Sequence, residues 1–246
     1  MEDINKLSDA HTHFSGEEDL KKRIENKIVS LVSNANIEEY KALLAKDLPS
    51  FIIPTFGIHP WSSDKYQVND FIDIFKEVKV IGEIGMDSVW CDVDLKLQEE
   101  VFKAQLALAL KLKKAVILHT KGQEKEIAAL IHKYPNKYLV HWYSSSEHLE
   151  DYIREDCYFS IGPDVLWNKA AQNVARTIPT NRLLIETDGL GAIKWAYDEG
   201  GLKINEEIET YKALIDVAKK VADIRNISLE TCLNMSYENL INGFLI

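Results

Sequence analysis

His11 and His13 stand two residues apart in the run Asp9-Ala10-His11-Thr12-His13. On an extended segment such residues share a side, so both imidazoles can meet one metal ion. The chain has seven histidines, and five of them (His11, His13, His59, His119 and His141) come just after short strand-like runs. Glu83 and Asp188 occupy the same kind of position. A single histidine at a strand end is ordinarily a hydrogen-bonded loop residue; its repetition after four different runs, with carboxylates after two more, is what points to a metal centre. His132 and His148 fall in helical patterns and read as surface or core residues. Four imidazoles with two carboxylates suit Zn, Mn, Fe or Ni better than Mg or Ca, which favour all-oxygen shells. The set His11, His13, Glu83, His119, His141 and Asp188 exceeds one tetrahedral site. Two divalent ions about 3.5–4 Å apart, bridged by a carboxylate, would use all of it and leave positions for water and substrate.

The elements that must position these groups alternate along the whole chain. Strand-like runs are expected at Ile4–Ala10, Lys27–Val32, Phe51–Thr55, Val78–Ile81, Ala115–Leu118, Tyr138–Val140, Cys157–Ile161 and Leu183–Ile185. Val116-Ile117-Leu118 and Leu183-Leu184-Ile185 are apolar throughout, as strands buried on both faces of a parallel sheet are. Between the runs, apolar residues recur every three or four positions, as in Leu95–Leu112 and Glu124–His132, the mark of amphipathic helices. The tail reads as a long helix over Glu206–Ala222 and shorter ones over Ser228–Phe244. The fold class is therefore α/β, a (β/α)8 barrel of the TIM type, with the metal site at the C-terminal ends of its strands. One domain is expected over residues 1–246, since no linker, repeat or low-complexity tract interrupts the pattern.

Composition narrows the function classes. With 46% hydrophobic and 28% charged residues the chain is ordinary for a globular protein. A net charge of −10 argues against a sequence-independent electrostatic grip on DNA or RNA, although divalent cations in one pocket would reverse the local sign. Cys91, Cys157 and Cys232 form no CxxC pair and read as reduced thiols. The first residues have no basic and apolar leader pattern, and no apolar run is long enough to span a membrane. A cytoplasmic protein with no membrane partner is expected, and a monomer is plausible.

Several motifs run in order along the chain: Asp9-Ala10-His11-Thr12-His13, Gly57-Ile58-His59-Pro60, Gly82-Glu83-Ile84-Gly85-Met86-Asp87 and Phe102-Lys103-Ala104-Gln105-Leu106. Ile117-Leu118-His119, His141-Trp142-Tyr143-Ser144, Phe159-Ser160-Ile161-Gly162 and Leu184-Ile185-Glu186-Thr187-Asp188 follow. In these the chain resembles the TatD-type metal-dependent hydrolases, a branch of the amidohydrolase-like TIM barrels. The resemblance implies two adjacent divalent ions, drawn from Zn, Mn, Ni, Fe or Mg. One would be held by His11, His13, Glu83 and Asp188, the other by His119, His141 and the shared Glu83. It implies catalytic roles for Asp188, Glu83 and His59, with Asp188 orienting or deprotonating the attacking water and His59 contacting substrate. Three positions depart from the usual pattern: Trp142-Tyr143-Ser144-Ser145 replaces Cys-Phe-Ser-Gly, Lys121 stands where an Arg is common, and Leu190 replaces a Pro. All three lie in substrate-facing loops. Lys121 can still meet a phosphate, as a point charge.

Phosphodiester hydrolysis, as by a deoxyribonuclease acting on DNA or a short nucleotide, is the leading expectation. Hydrolysis of a carboxylic ester or amide, including an aminoacyl-tRNA ester, is the alternative, and a non-catalytic binding barrel comes last. Lys121, Lys125, Lys169 and Lys194 are the candidates for a basic rim. Trp142, Tyr143, Trp167 and Trp195 are candidates to stack bases. Packing of the same rings onto the barrel mouth is an equally good reading.

Overall fold

The computed structural model describes residues 6–34, 36–145, 147–202 and 208–246. Its elements run β1 (Ser8–His13), α1 (Glu17–Glu25), β2 (Val29–Asn34), α2 (Ile37–Leu44), β3 (Ile52–Phe56), α3 (Ile72–Glu77), β4 (Val80–Asp87) and α4 (Leu95–Leu112). There follow β5 (Ala115–Lys121), α5 (Glu124–Ile131), β6 (Tyr138–Val140), α6 (Leu149–Arg154), β7 (Tyr158–Ile161), α7 (Lys169–Thr177), β8 (Leu183–Ile185) and α8 (Leu190–Glu199). The tail forms α9 (Thr210–Arg225), α10 (Leu229–Glu238) and a π-helical turn over Asn239–Phe244.

The eight strands pair in chain order, each parallel to the next. Just beyond β8, the Asp188 N–H donates to the His11 carbonyl of β1 at 3.1 Å and draws the two edges together. The result is a nearly closed barrel with helices outside it, the expected TIM-type fold. Alternation along the strands divides the core in two. Leu31, Ile53, Val80, Ile117, Leu139 and Leu184 fill the inside, plugged from below by Leu240 and Phe244 of the tail. Ile81, Val116, Leu118, Val140, Phe159 and Ile185 face the helices. Continued upward, the same alternation turns His119 and His141 inward, two residues beyond Ile117 and Leu139.

Two ladders are irregular, and both carry candidate ligands. Register slips between Asp9 and Thr12 of β1, and between Ile81 and Ile84 of β4. Such irregularities re-aim side chains. Here they bring His11 and Glu83 to the barrel axis. The strand expected to stop at Ile81 runs on to Asp87, because Gly82 and Gly85 lie inside it. Gly85 allows close strand approach: a Cβ there would lie 1.9 Å from the His119 carbonyl oxygen. β1 starts at Ser8 and runs through the two histidines; residues 4 and 5 of the expected strand lie outside the described residues.

Candidate metal centre

Every candidate ligand comes from a strand or from within three residues of its C-terminal end. His11 and His13 end β1, Glu83 lies in β4, His119 in β5, His141 follows β6 and Asp188 follows β8. Asp188 has a φ of +57°, a left-handed conformation that Asp tolerates better than most residues. Its carboxylate Oδ1 lies 3.2 Å from His11 Nε2 and 3.4 Å from His13 Nε2.

Glu83 is the hub. Its Oε2 lies 3.5 Å from both His11 Nε2 and His13 Nε2. Its Oε1 lies 2.5 Å from His141 Nε2, 2.6 Å from His119 Nδ1 and 3.7 Å from His59 Nε2. The two oxygens of one carboxylate thus face two separate groups of imidazoles. Burial alone would push the Glu83 carboxyl up, but His141, His59, His11 and His119 outweigh it and hold Glu83 well below the usual range. Burial would likewise lower the His13 imidazole, yet Glu83 and Asp188 push it up to about 9. His141 is raised well above its ordinary value, again because Glu83 and Glu186 outweigh burial. The pocket demands positive charge.

Divalent ions fit this donor set. His11 Nε2 and Asp188 Oδ1 are buried without a hydrogen-bond partner among the described residues, an arrangement costly unless a cation satisfies both. Among the described residues, three groups have ligand atoms within 4.8 Å of one another: His11, His13 and Glu83; His11, His141 and Asp188; His59, Glu83 and His119.

Behind the imidazoles lies a supporting layer that the sequence reading did not single out. Ser33 Oγ lies 3.2 Å from His11 Nδ1. Glu186 Oε1 lies 3.7 Å from His141 Nδ1, and Ser160 Oγ–H donates to Glu186 Oε2 at 2.6 Å. Asp87 Oδ2 lies 3.1 Å from His119 Nε2 and accepts the Trp61 indole N–H at 2.8 Å. Its Oδ1 accepts the backbone N–H groups of Val89 and Trp90 at 2.8 and 2.9 Å. Burial would raise the Asp87 carboxyl, but the bonds from His119, Trp90, Trp61 and Val89 hold it far below the usual range. Asp87 and Glu186 stood inside quoted motifs; their place next to a candidate histidine ligand is visible only in the fold. Such carboxylates fix the ring and tautomer of a ligand, and losing one typically costs about 10–100-fold in metal affinity. Asp87→Asn should therefore weaken metal binding by that factor, read by chelator competition. Unchanged affinity would mean that Asp87 does not set the His119 ring.

His59 caps the short turn Pro60–Ser62, its Nδ1 accepting the Trp61 N–H at 3.3 Å. Burial lowers its imidazole. A neutral ring accepting at Nδ1 carries its proton on Nε2, the nitrogen facing Glu83.

A cavity of about 720 Å³ opens over these groups. Its wall includes His13, His59, Glu83, His119, His141 and Asp188 together with Lys121, Trp142 and Trp195. Tyr143, expected at the substrate, does not reach the cavity: it is 2% exposed, packs against Tyr152 and Phe159, and its hydroxyl donates to the Glu147 carbonyl. Trp142, with a φ of +42°, lines the cavity in its place. Trp167 is also turned away, its indole N–H donating to the Ala196 carbonyl at 2.8 Å. Of the rim lysines only Lys121 lines the cavity; Lys194 pairs with Asp198, Lys169 reaches Gln172, and Lys125 is exposed on α5. His132 and His148 bond to Glu155 and Asp151 of their surroundings, away from the centre, as their helical patterns implied.

A metal-dependent hydrolase of Bacillus subtilis, YabD, is 24% identical over 95% of this chain and 96% of its own. The 3'-5' ssDNA/RNA exonuclease TatD of Dickeya dadantii is 29% identical over 64% of this chain and 65% of its own. The crystal structure of the TatD homologue YjjV from Escherichia coli superposes with a TM-score of 0.81 at 19% identity, covering 99% of each chain. The family described as TatD related DNase matches residues 8–244, and the chain belongs to that family.

Proposed function

We propose that this metal-dependent hydrolase cleaves phosphodiester bonds in DNA or a short nucleotide, using two divalent ions that share Glu83. The observation that carries the reading is the division of Glu83: Oε2 toward His11 and His13, Oε1 toward His119 and His141. His11, His13, Glu83 and Asp188 would hold one ion, and His119, His141 and Glu83 the other; Zn, Mn, Ni, Fe and Mg are the candidates. When bound, such ions acidify the attacking water and stabilise charge on the phosphoryl oxygens. Asp188 takes the proton from the water, His59 donates a hydrogen bond from Nε2 to a substrate oxygen, and Lys121 meets a phosphate at the cavity wall. The name of the Dickeya relative supports a nucleic-acid substrate. All the proposed ligands come from one chain, so a monomer suffices. Among the described residues no helix is long and apolar enough to cross a membrane, and three free cysteines suit the cytoplasm.

The test combines metal analysis with a panel of phosphodiesters and carboxylic esters, on the wild type and on Glu83→Ala. The wild type should turn over phosphodiesters with two equivalents of metal, and Glu83→Ala should lose both ions together. One ion retained at full occupancy would show that Glu83 does not bridge. Turnover of carboxylic esters alone would reassign the reaction.

A further inference from the structure

Two tryptophans meet across the barrel mouth. Trp90 stands in the loop between β4 and α4, and Trp195 on α8, which follows β8. In a ring of eight strands β4 and β8 lie opposite each other, yet the two indoles touch edge to face with centroids 6.2 Å apart. Trp195 also meets Trp142, two residues past β6, at 6.2 Å. Trp142 is seated on Gly162, where a Cβ would lie 2.5 Å from its ring. The Lys121 ammonium sits 4.9 Å from the centre of the Trp90 ring and donates to Ser144 Oγ at 3.4 Å. Aromatic side chains therefore bridge the mouth from β4 to β8, braced toward β6.

This bridge is not core. Trp90 is 55% exposed and Trp195 43% exposed, so neither ring is held there by burial. Both line the cavity that contains Glu83, His119, His141 and Asp188. A polynucleotide laid over the bridge would keep its phosphates on the outer side of the indoles, away from those groups. The contact divides the mouth, and beneath it only a strand with a free end can enter, since a closed strand cannot be threaded. Charge points the same way: among the described residues lining the cavity Lys121 is the only lysine or arginine, while Asp164 and Glu199 line it too. The chamber suits one phosphate at a time rather than a run of them. The indole faces offer stacking to any base, which is sequence-tolerant.

Building on the phosphodiester reading, we propose that the Trp90–Trp195 contact determines substrate topology, admitting single-stranded ends and excluding the interior of closed strands. The experiment compares a circular single-stranded oligonucleotide with the same sequence linearised, on wild type, Trp90→Ala and Trp195→Ala, each loaded with metal. The wild type should cut the linear strand and leave the circle nearly intact. In either variant the ratio of circular to linear cleavage should rise by about tenfold or more, the scale on which pocket sterics discriminate. Thermal unfolding of the variants should stay close to wild type, because the rings are half in water. A wild type that cuts circle and line alike, or variants that leave the ratio unchanged, would overturn the proposal. Loss of cleavage on both substrates in the wild type would instead overturn the phosphodiester reading, and this proposal with it.

Discussion

Asp188→Asn should lose about 10²–10⁴ in turnover, the usual contribution of a positioned general acid or base, or about 2.7–5.5 kcal/mol of activation free energy. The carboxylate is set for that role by its surroundings. Burial would push it up, but His11, His13 and His141 outweigh burial and hold it below its ordinary value, so it stays charged. Its backbone is fixed by the bond from its own N–H to the His11 carbonyl, and the preceding Thr187 N–H donates to Asp9 Oδ1 at 2.9 Å. Asn preserves the size and one oxygen beside His11 and His13, while removing charge and basicity. The variant should therefore keep part of its metal, and turnover should fall further than metal content. Both quantities are read on the same preparation, turnover by phosphodiester cleavage and metal by elemental analysis. Near-normal turnover with full metal would move the base to another group.

What could be read from residue order, and what could not, divides along physical lines. Helix α4 falls on its expected bounds, Leu95–Leu112, because a long amphipathic stretch follows directly after Asp94, whose side chain caps it. The six candidate ligands were legible because a parallel barrel sends every strand's C-terminal end to one face. Strand ends were less so: Gly82 and Gly85 look like a break in β4, and only the closeness of β5 explains them. Tyr143 and Trp142 are neighbours, and which of them faces the cavity depends on one left-handed backbone angle at Trp142. Trp90 stands in Ser88-Val89-Trp90-Cys91, a short connection with no periodicity to read, and its partner lies on α8, over a hundred positions away. Arg23 is the clearest case. In Glu17-Glu18-Asp19-Leu20-Lys21-Lys22-Arg23 it looks like one more charge on a solvated helix, whereas in the fold it is among the largest fully buried side chains.

That burial carries the second large expectation, a loss of stability of about 3–5 kcal/mol in Arg23→Met, the usual result of removing one partner from a buried ionic network. Arg23 Nη1 donates to Asp9 Oδ2 at 2.8 Å and Nε to Asp19 Oδ2 at 2.7 Å. Nη2 donates to Thr12 Oγ1 at 2.8 Å and to Thr210 Oγ1 at 3.2 Å, and Nη1 also to Ser30 Oγ at 3.2 Å. One guanidinium therefore joins β1, α1, β2 and α9, and through Asp9 it reaches Thr187, the residue before Asp188. Methionine fills much of the same volume, so the loss comes from two carboxylates left buried without their cation rather than from a cavity. For a chain of this length the change corresponds to a fall of about 6–20 °C in melting temperature. Unfolding by urea, followed without metal to separate folding from ion binding, measures it directly. The companion variant Arg23→Met with Asp9→Asn and Asp19→Asn removes the stranded charges as well and should recover part of the loss. A drop of less than about 1 kcal/mol in the single variant would show that water or local rearrangement satisfies Asp9 and Asp19 without the guanidinium. The support beneath His11 and Asp188 would then have to come from the strand ladder alone.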